Sequence, residues 1–270
     1  MAEISLKRTS TRWWLAVLLL LVLTVTFIAM GRWQLQRADE RRHIAQQIEA
    51  GRTSAALQIS GTMNTASIVP WQAASAKGQW MPQFAVLLDN RSEQGKPGLW
   101  LAMPLQLSDG NVLLVLRGWL PRPLGDAGVT LGFDALQGVV SLQGEIALHV
   151  PRMYELQADG PVHFGSLIPS AALPALELDV KTWPRRQNLS IAEMSDATGL
   201  RLLPFVLMQT GADDTVHLQG RELLRSWPEP SLDADKNIGY AIQWFSFAAI
   251  ALGALVVLLW RTRRRATILS

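Results

Sequence analysis

Four histidines, His43, His149, His163 and His217, are the side chains best suited to proton transfer or metal binding, but they lie far apart with no ligand spacing. A nucleophile-elbow serine, a phosphate-binding glycine loop and a His-Glu-X-X-His pair are all missing. Asp89, Asp109 and Glu145 stand at the ends of strand-like runs and in turns, where solvation accounts for them. The chain has no cysteine, which rules out disulfides, thiolate zinc sites, a Cys-X-X-Cys-His haem attachment and a cysteine-based copper carrier. What remains are polar groups beside or inside apolar blocks: Arg32, Gln34 and Arg37 after one block, Gln243 within another. A guanidinium at a membrane surface can hold a carboxylate or phosphate as a bidentate pair. An amide near lipid needs a partner, so Gln34 and Gln243 are expected to face each other across two helices or to face a partner subunit. Trp33, Tyr240 and Trp244 complete this candidate surface, the tryptophans either as interfacial anchors or as walls of an apolar groove.

Two apolar blocks position these groups. Residues 13–31 and 238–260 carry no charge, and about twenty apolar residues match the ~30 Å hydrocarbon thickness at ~1.5 Å rise per residue. Trp13, Trp14 and Trp33 bracket the first block; Tyr240, Trp244 and Trp260 mark the second. Lys7, Arg8 and Arg12, with the small residues Ala29 and Gly31, also fit a cleaved signal peptide, but the long run leads directly into a helix-like segment, which favours a span. Arg261, Arg263, Arg264 and Arg265 follow the second block, so the positive-inside rule puts the C-terminus in the cytoplasm. Two spans then place both termini there. The resulting order is a cytoplasmic N-terminus (1–12), a first transmembrane helix (13–31), an extracytoplasmic, periplasmic β-rich domain (32–237), a second transmembrane helix (238–260) and a basic cytoplasmic tail (261–270). The net charge of +3 comes largely from arginines at the membrane edges, which reads as lipid contact and orientation rather than nucleic-acid binding.

Between the blocks the pattern is mainly β. The first helix is expected to run on to about Ala50 and to end at Gly51, followed by a short strand near Leu57–Ile59. Phe84–Asp89, Leu99–Gln106 and Val112–Trp119 read as strands, with a loop over Asn90–Gly98 and a hairpin turn at Asp109-Gly110. Arg122–Gly138 reads as loop, Val139–His149 as strand and Pro151–Pro184 as irregular. Ser190-Ile191-Ala192-Glu193 is a capping box for a short helix ending near Gly199, and Leu202–Gln209 and Thr215–Leu218 are further strands. The fold class is therefore an α+β membrane protein: two transmembrane helices flanking a mainly antiparallel β domain, a small barrel or sandwich, with short helices. Arg91 and Arg117 are expected at strand edges, with a salt bridge in the Asp89-Asn90-Arg91 turn and a bulge at Gly118 beside Trp119.

Four blocks in order resemble one family. Gly31-Arg32-Trp33-Gln34-Leu35-Gln36-Arg37 is similar to the segment after the first span of the surfeit locus protein family, assembly factors of cytochrome c oxidase. Asp89-Asn90-Arg91 with Gly95, Gly98 and Met103-Pro104-Leu105 resembles its central segment, Arg117-Gly118-Trp119-Leu120-Pro121 its Arg-Gly-Trp-Val-Pro signature, and Tyr240-Ala241-Ile242-Gln243-Trp244-Phe245 its second-span entrance. The resemblance implies a non-enzymatic, multi-pass protein of the bacterial inner membrane that helps deliver haem A to subunit I of the oxidase. Its implied cofactor is transiently bound haem A. Its implied partners are subunit I, other oxidase assembly or haem A synthesis proteins, and membrane lipids. The family pattern places a proposed haem-ligating histidine three residues before the position of Tyr240, and here that residue is Asn237, whose amide is a poor axial ligand. His43 is the nearest substitute donor. On the same resemblance Arg32, Trp33, Gln34, Arg37, Tyr240, Gln243 and Trp244 form the candidate haem or partner surface. Two other classes stay open: a membrane-anchored cell-envelope enzyme, in which strand topology would bring His149, His163 and Asp89 together, and a structural subunit of a respiratory complex.

Overall fold

The computed structural model describes residues 11–61, 63, 65, 68–122, 130–134, 138–154, 160, 162, 164, 175–179, 183–211, 217–218 and 221–267. The chain divides into two compact units, Met1–Gln46 with Pro230–Ser270, and Gln47–Glu229.

The first unit is a helix pair. Helix α1 runs without a break over Thr11–Thr53, 43 residues, which at 1.5 Å per residue is about 65 Å and roughly twice what a bilayer core requires. Its partner, called α3 because the short helix α2 (Ile191–Thr198) precedes it, spans Ala234–Thr267. Both helices are long and apolar enough to cross a membrane, and they associate the chain with one. The indole N–H of Trp13 donates to Thr262 Oγ1 (3.0 Å) at one end. At the other end Arg41 donates to the Asp233 carbonyl (2.7 Å), so the helices run antiparallel.

The second unit is built on a closed barrel. Its strands are β1 (Leu57–Ile59), β2 (Ala73–Trp80), β3 (Val86–Glu93), β4 (Lys96–Leu107), β5 (Val112–Pro121), β6 (Thr130–Asp134), β7 (Val140–Ala147), β8 (Ala175–Asp179), β9 (Arg185–Arg186), β10 (Leu202–Gln209), β11 (His217–Leu218) and β12 (Arg221–Glu222). Neighbours run β2-β7-β10-β5-β4, and β4 pairs back onto β2, closing five strands into a barrel. β1 extends it beyond β2, and β3 and β9 extend it beyond β4. A second sheet has the order β12-β11-β6-β8. The barrel is antiparallel except between β5 and β10 (Val206↔Leu114, Leu207↔Val115), a parallel pairing permitted by the long crossover between them. Pro104 lies where β4 leaves β3, whose pairing ends at Ala102, for β2, whose pairing begins at Leu105, so its missing N–H falls at a change of neighbour.

Alternation sorts the side chains into two cores. Trp80, Leu101, Met103, Leu113, Val115, Phe205 and Leu207 belong to one buried cluster. Leu88, Trp100, Leu114, Leu116, Val206 and Met208 belong to another, which Leu189 and Met194 join from α2 and the residues before it. Because both faces of β5 are covered, its first five residues, Val112 to Leu116, are a continuous apolar run rather than an alternating one.

Several expectations need correction. Gly51 does not stop α1: a Cβ there would lie 2.1 Å from the Pro70 carbonyl oxygen, so glycine allows a close approach while the helix continues to Thr53. Asn90–Gly98 is not a nine-residue loop. β3 and β4 continue to a two-residue turn at Gln94-Gly95, whose φ values of 49° and 76° suit a type I′ hairpin. A strand, β6, lies inside the stretch read as loop, and another, β8, inside the stretch read as irregular. The capping box is present as expected, with Gly199 left-handed at the C-cap.

Arg91 and Arg117 are not at exposed edges. On β3, Leu88 faces Trp100 and Arg91 faces Gly98, so the strand gains one residue around Asn90 (φ 57°). On β5, Gly118 faces Leu101 while Leu116 faces Ala102, making Arg117 the extra residue beside Gly118 and Trp119. Each bulge turns an arginine into a covered face, leaving Arg91 2% and Arg117 0% exposed.

Candidate functional site

The helix pair is organised by a seam of 3- and 4-residue steps. On α1 the covered positions include Leu20, Thr24, Phe27, Gly31, Gln34, Ala38, Arg41 and Ala45. On α3 they include Asn237, Ala241, Trp244, Ala248, Ala251, Leu255, Leu258 and Thr262. This is the spacing of a left-handed coiled pair. Gly31 is part of the fit: a Cβ there would lie 2.6 Å from the Phe245 ring, so the ring packs where a side chain would stand.

The polar position in the seam is an amide pair. Asn237 Nδ2 donates to Gln34 Oε1 at 2.7 Å, and Asn237 Oδ1 is enclosed with no hydrogen-bond partner among the described residues. Gln34 therefore meets Asn237, not Gln243. Gln243 lies on the exposed side of α3 with no partner among the described residues. Sequence reasoning treated Asn237 only as a missing ligand and overlooked this bond, although an amide at a covered helix position next to an apolar block was the available signal.

The other predicted residues divide by side. At 100° per residue, Trp33 and Arg37 fall on one flank of α1, and Tyr240, Gln243 and Phe247 on the corresponding flank of α3. Arg32 falls on the opposite flank. Trp33 and Tyr240 are half exposed, at 50% and 54%. Arg37 is exposed and donates to Glu40 of its own helix (2.9 Å), a bond worth little at a surface. Trp244 stacks on Phe27 (centroids 5.7 Å, 29°), and Phe247 meets both rings. With Leu20, Leu23, Ile250, Ala251 and Ala254 these rings line an apolar groove of about 440 Å³ along the pair. Trp244 is thus a groove wall and Trp33 is not. Phe27 and Phe247 escaped sequence reasoning because one aromatic in an apolar block gives no sign of the ring it will meet.

In the second unit the motif residues brace the barrel. The Asp89 carboxylate takes a hydrogen bond from Arg122 and, at 3.5 Å, an ion pair from Arg185, in place of the expected bridge to Arg91. Arg91 donates through Nη2 to the carbonyls of Pro151 (2.9 Å) and Gln187 (3.1 Å), and its guanidinium lies 4.7 Å from the Trp100 ring. Burial pushes its pKa down to about 10, with nearby Asp89 opposing the shift. The Arg117 guanidinium stacks 4.0 Å over Trp80 and reaches Met103 Sδ at 3.5 Å. Trp119 donates to the Arg91 carbonyl (3.0 Å), tying the two motif strands together.

A cleft of about 800 Å³ is lined by His149, Arg152, Arg186, Asn188, Ser190 and Glu193 among others. Hydrogen bonds from the Ser190 N–H and hydroxyl hold the Glu193 carboxyl below the usual range. Asp89 is not among the lining residues, and His163 lies outside the described residues. No group of three or more His, Cys, Asp or Glu able to hold a metal occurs among the described residues. His43 is exposed on α1, beyond the apolar block, and His217 pairs as a strand residue in β11.

Comparison with known sequences points to one family. The sequence profile of the SURF1 family matches residues 21–249. A "SURF1-like protein" of Rickettsia felis is 25% identical over 239 residues, covering 84% of this chain and 91% of the relative. One of Rickettsia conorii is 24% identical over 242 residues (88% and 87%), and one of Rickettsia bellii 22% over 236 (86% and 86%).

Proposed function

The chain belongs to the SURF1 family, and from that premise we propose that it assists assembly of a haem-copper cytochrome c oxidase, at the step where haem A enters subunit I. On this reading it is not an enzyme. Its partners are subunit I, other assembly or haem A synthesis proteins, and membrane lipids. The basic run Arg261, Arg263, Arg264 and Arg265 after the second span supports cytoplasmic termini and a periplasmic barrel in an inner membrane.

The observation that carries the mode of action is the Asn237–Gln34 pair. At the position where the family pattern carries histidine, the carboxamide nitrogen is committed to Gln34, and an amide is a poor axial ligand for haem iron. The residues present do not fit an axially ligated haem there. The function is therefore to hold the receiving subunit rather than to carry haem A on this position. Deleting the gene and measuring a-type haem absorbance with cytochrome c oxidase activity in membranes tests the reading. Loss of both, restored by the intact chain, is expected; normal values with no compensating paralogue overturn it.

A further inference from the structure

The groove on the helix pair stands beside a polar group that no described residue satisfies. Gln243 lies about one turn inside the apolar stretch of α3 and shares a flank with Phe247, Ile250 and Ala254, three of the groove's lining residues. It has no hydrogen-bond partner among the described residues. By contrast Ser246 bonds back to the Ile242 carbonyl (2.8 Å), and Gln34 takes a bond from Asn237. Within the uncharged run 238–260 an exposed amide marks an interaction, because lipid tails offer it no acceptor or donor.

The groove's shape points the same way. Phe27, Trp244 and Phe247 line one part of it with ring contacts of 5.7 to 6.0 Å, and the small residues Ala251 and Ala254 line another. From Phe247 to Ala254 is two helical turns, about 10.5 Å, which accommodates side chains at i, i+4 and i+7 of a helix laid alongside. Small residues let a third helix approach closely, which is how helices associate in lipid, where burial itself gives no drive. We propose that this flank docks one transmembrane helix of a partner protein, with a polar side chain of that helix, such as Ser, Thr, Asn or Gln, bonded to Gln243. A lipid tail would fill the groove but leave the amide unpaired. The inference rests on the assembly reading only in requiring a membrane-embedded partner.

The chain's lack of cysteine allows a direct test. Single cysteines at Ala254 (groove flank) and Val256 (far flank) are introduced into the full chain in its native membrane and carry a photoreactive label. A protein adduct from Ala254→Cys whose crosslinked peptide maps within an apolar span of another protein is expected, with none from Val256→Cys. In the Gln243→Leu background its yield should fall about three- to eighteen-fold, the range for losing one interhelical hydrogen bond in a membrane. Lipid adducts alone, a self-adduct of twice the chain mass, equal labelling from both flanks, or a yield indifferent to Gln243→Leu would overturn the proposal. Oxidase activity measured in the same membranes keeps the two readings apart: a groove that captures no helix while assembly still depends on the protein sinks the docking site alone.

Discussion

The amide pair in the seam yields a prediction in which the double variant should be more stable than either single one. Gln34→Leu removes the acceptor of the 2.7 Å bond and leaves Asn237 with both polar atoms unpaired, since its Oδ1 already lacks a partner. An interhelical hydrogen bond in a membrane is worth roughly 0.6–1.7 kcal/mol, and a covered, unpaired amide costs about 1–3 kcal/mol. We expect Gln34→Leu to weaken the pair by about 1.5–2.5 kcal/mol, toward the middle because both groups are only half covered. Asn237→Leu removes the enclosed Oδ1 along with the bond and leaves Gln34, so about 0.5–1 kcal/mol is expected. Replacing both should return to within ~0.5 kcal/mol of the parent, because no polar group is then stranded. Dyes on cysteines introduced at Arg12 and Arg261, at the end marked by the Trp13–Thr262 bond, report separation of the helices as SDS is titrated into mild-detergent micelles. A double variant destabilised by the sum of its singles would refute the reasoning, since it would mean that the two amides act independently.

Three further outcomes follow from the packing and from the capping box. Gly31→Ala should loosen the pair by about 1–2 kcal/mol in the same titration, as overpacking against Phe245 exceeds the helix-propensity gain; Phe245→Val should rescue it, and failure to rescue would move the clash elsewhere. Ser190→Ala should cost the second unit about 1 kcal/mol in denaturant unfolding through loss of the cap. Because the Glu193 pKa is lowered by folding, its contribution is present above the unfolded value and fades as pH falls through the folded one. Glu193→Gln should therefore flatten the acid limb of stability, and an unchanged limb would count against the box.

The elements that announce themselves locally were readable from the chain. The spans needed only length and polarity, α2 was marked at both ends by Ser190, Glu193 and Gly199, and β10 matched its apolar run from Leu202 to Gln209. What could not be read were facts held by distant residues. Gly31 and Gly51 look alike as helix glycines, yet one admits a ring from the other end of the chain and the other a backbone carbonyl. Arg91 and Arg117 were expected at strand edges; the bulge beside Trp119 was legible at Gly118, but the one around Asn90 was not, nor was the inward turn that each gives its arginine. The partner of Gln34 was similarly hidden, since Asn237 and Gln243 are both amides near one helix start and only the seam's register chooses between them.

The place of β10 in the barrel has a consequence for the order in which the domain can be made. β10 lies between β7 and β5, so until it arrives both of those strands have an open edge. Chains emerge at about 5–20 residues per second. The 62 residues from Ala147 to Gln209 therefore impose a wait of roughly 3–12 s during which two apolar-faced strands can pair with the wrong neighbour. A chain that stops before Leu202 keeps both edges permanently, so shortened products should be cleared or aggregate instead of retaining partial activity. The closing stave is also nearly the last part of the domain to be translated, which ties completion of the barrel to the moment just before the second membrane helix is synthesised.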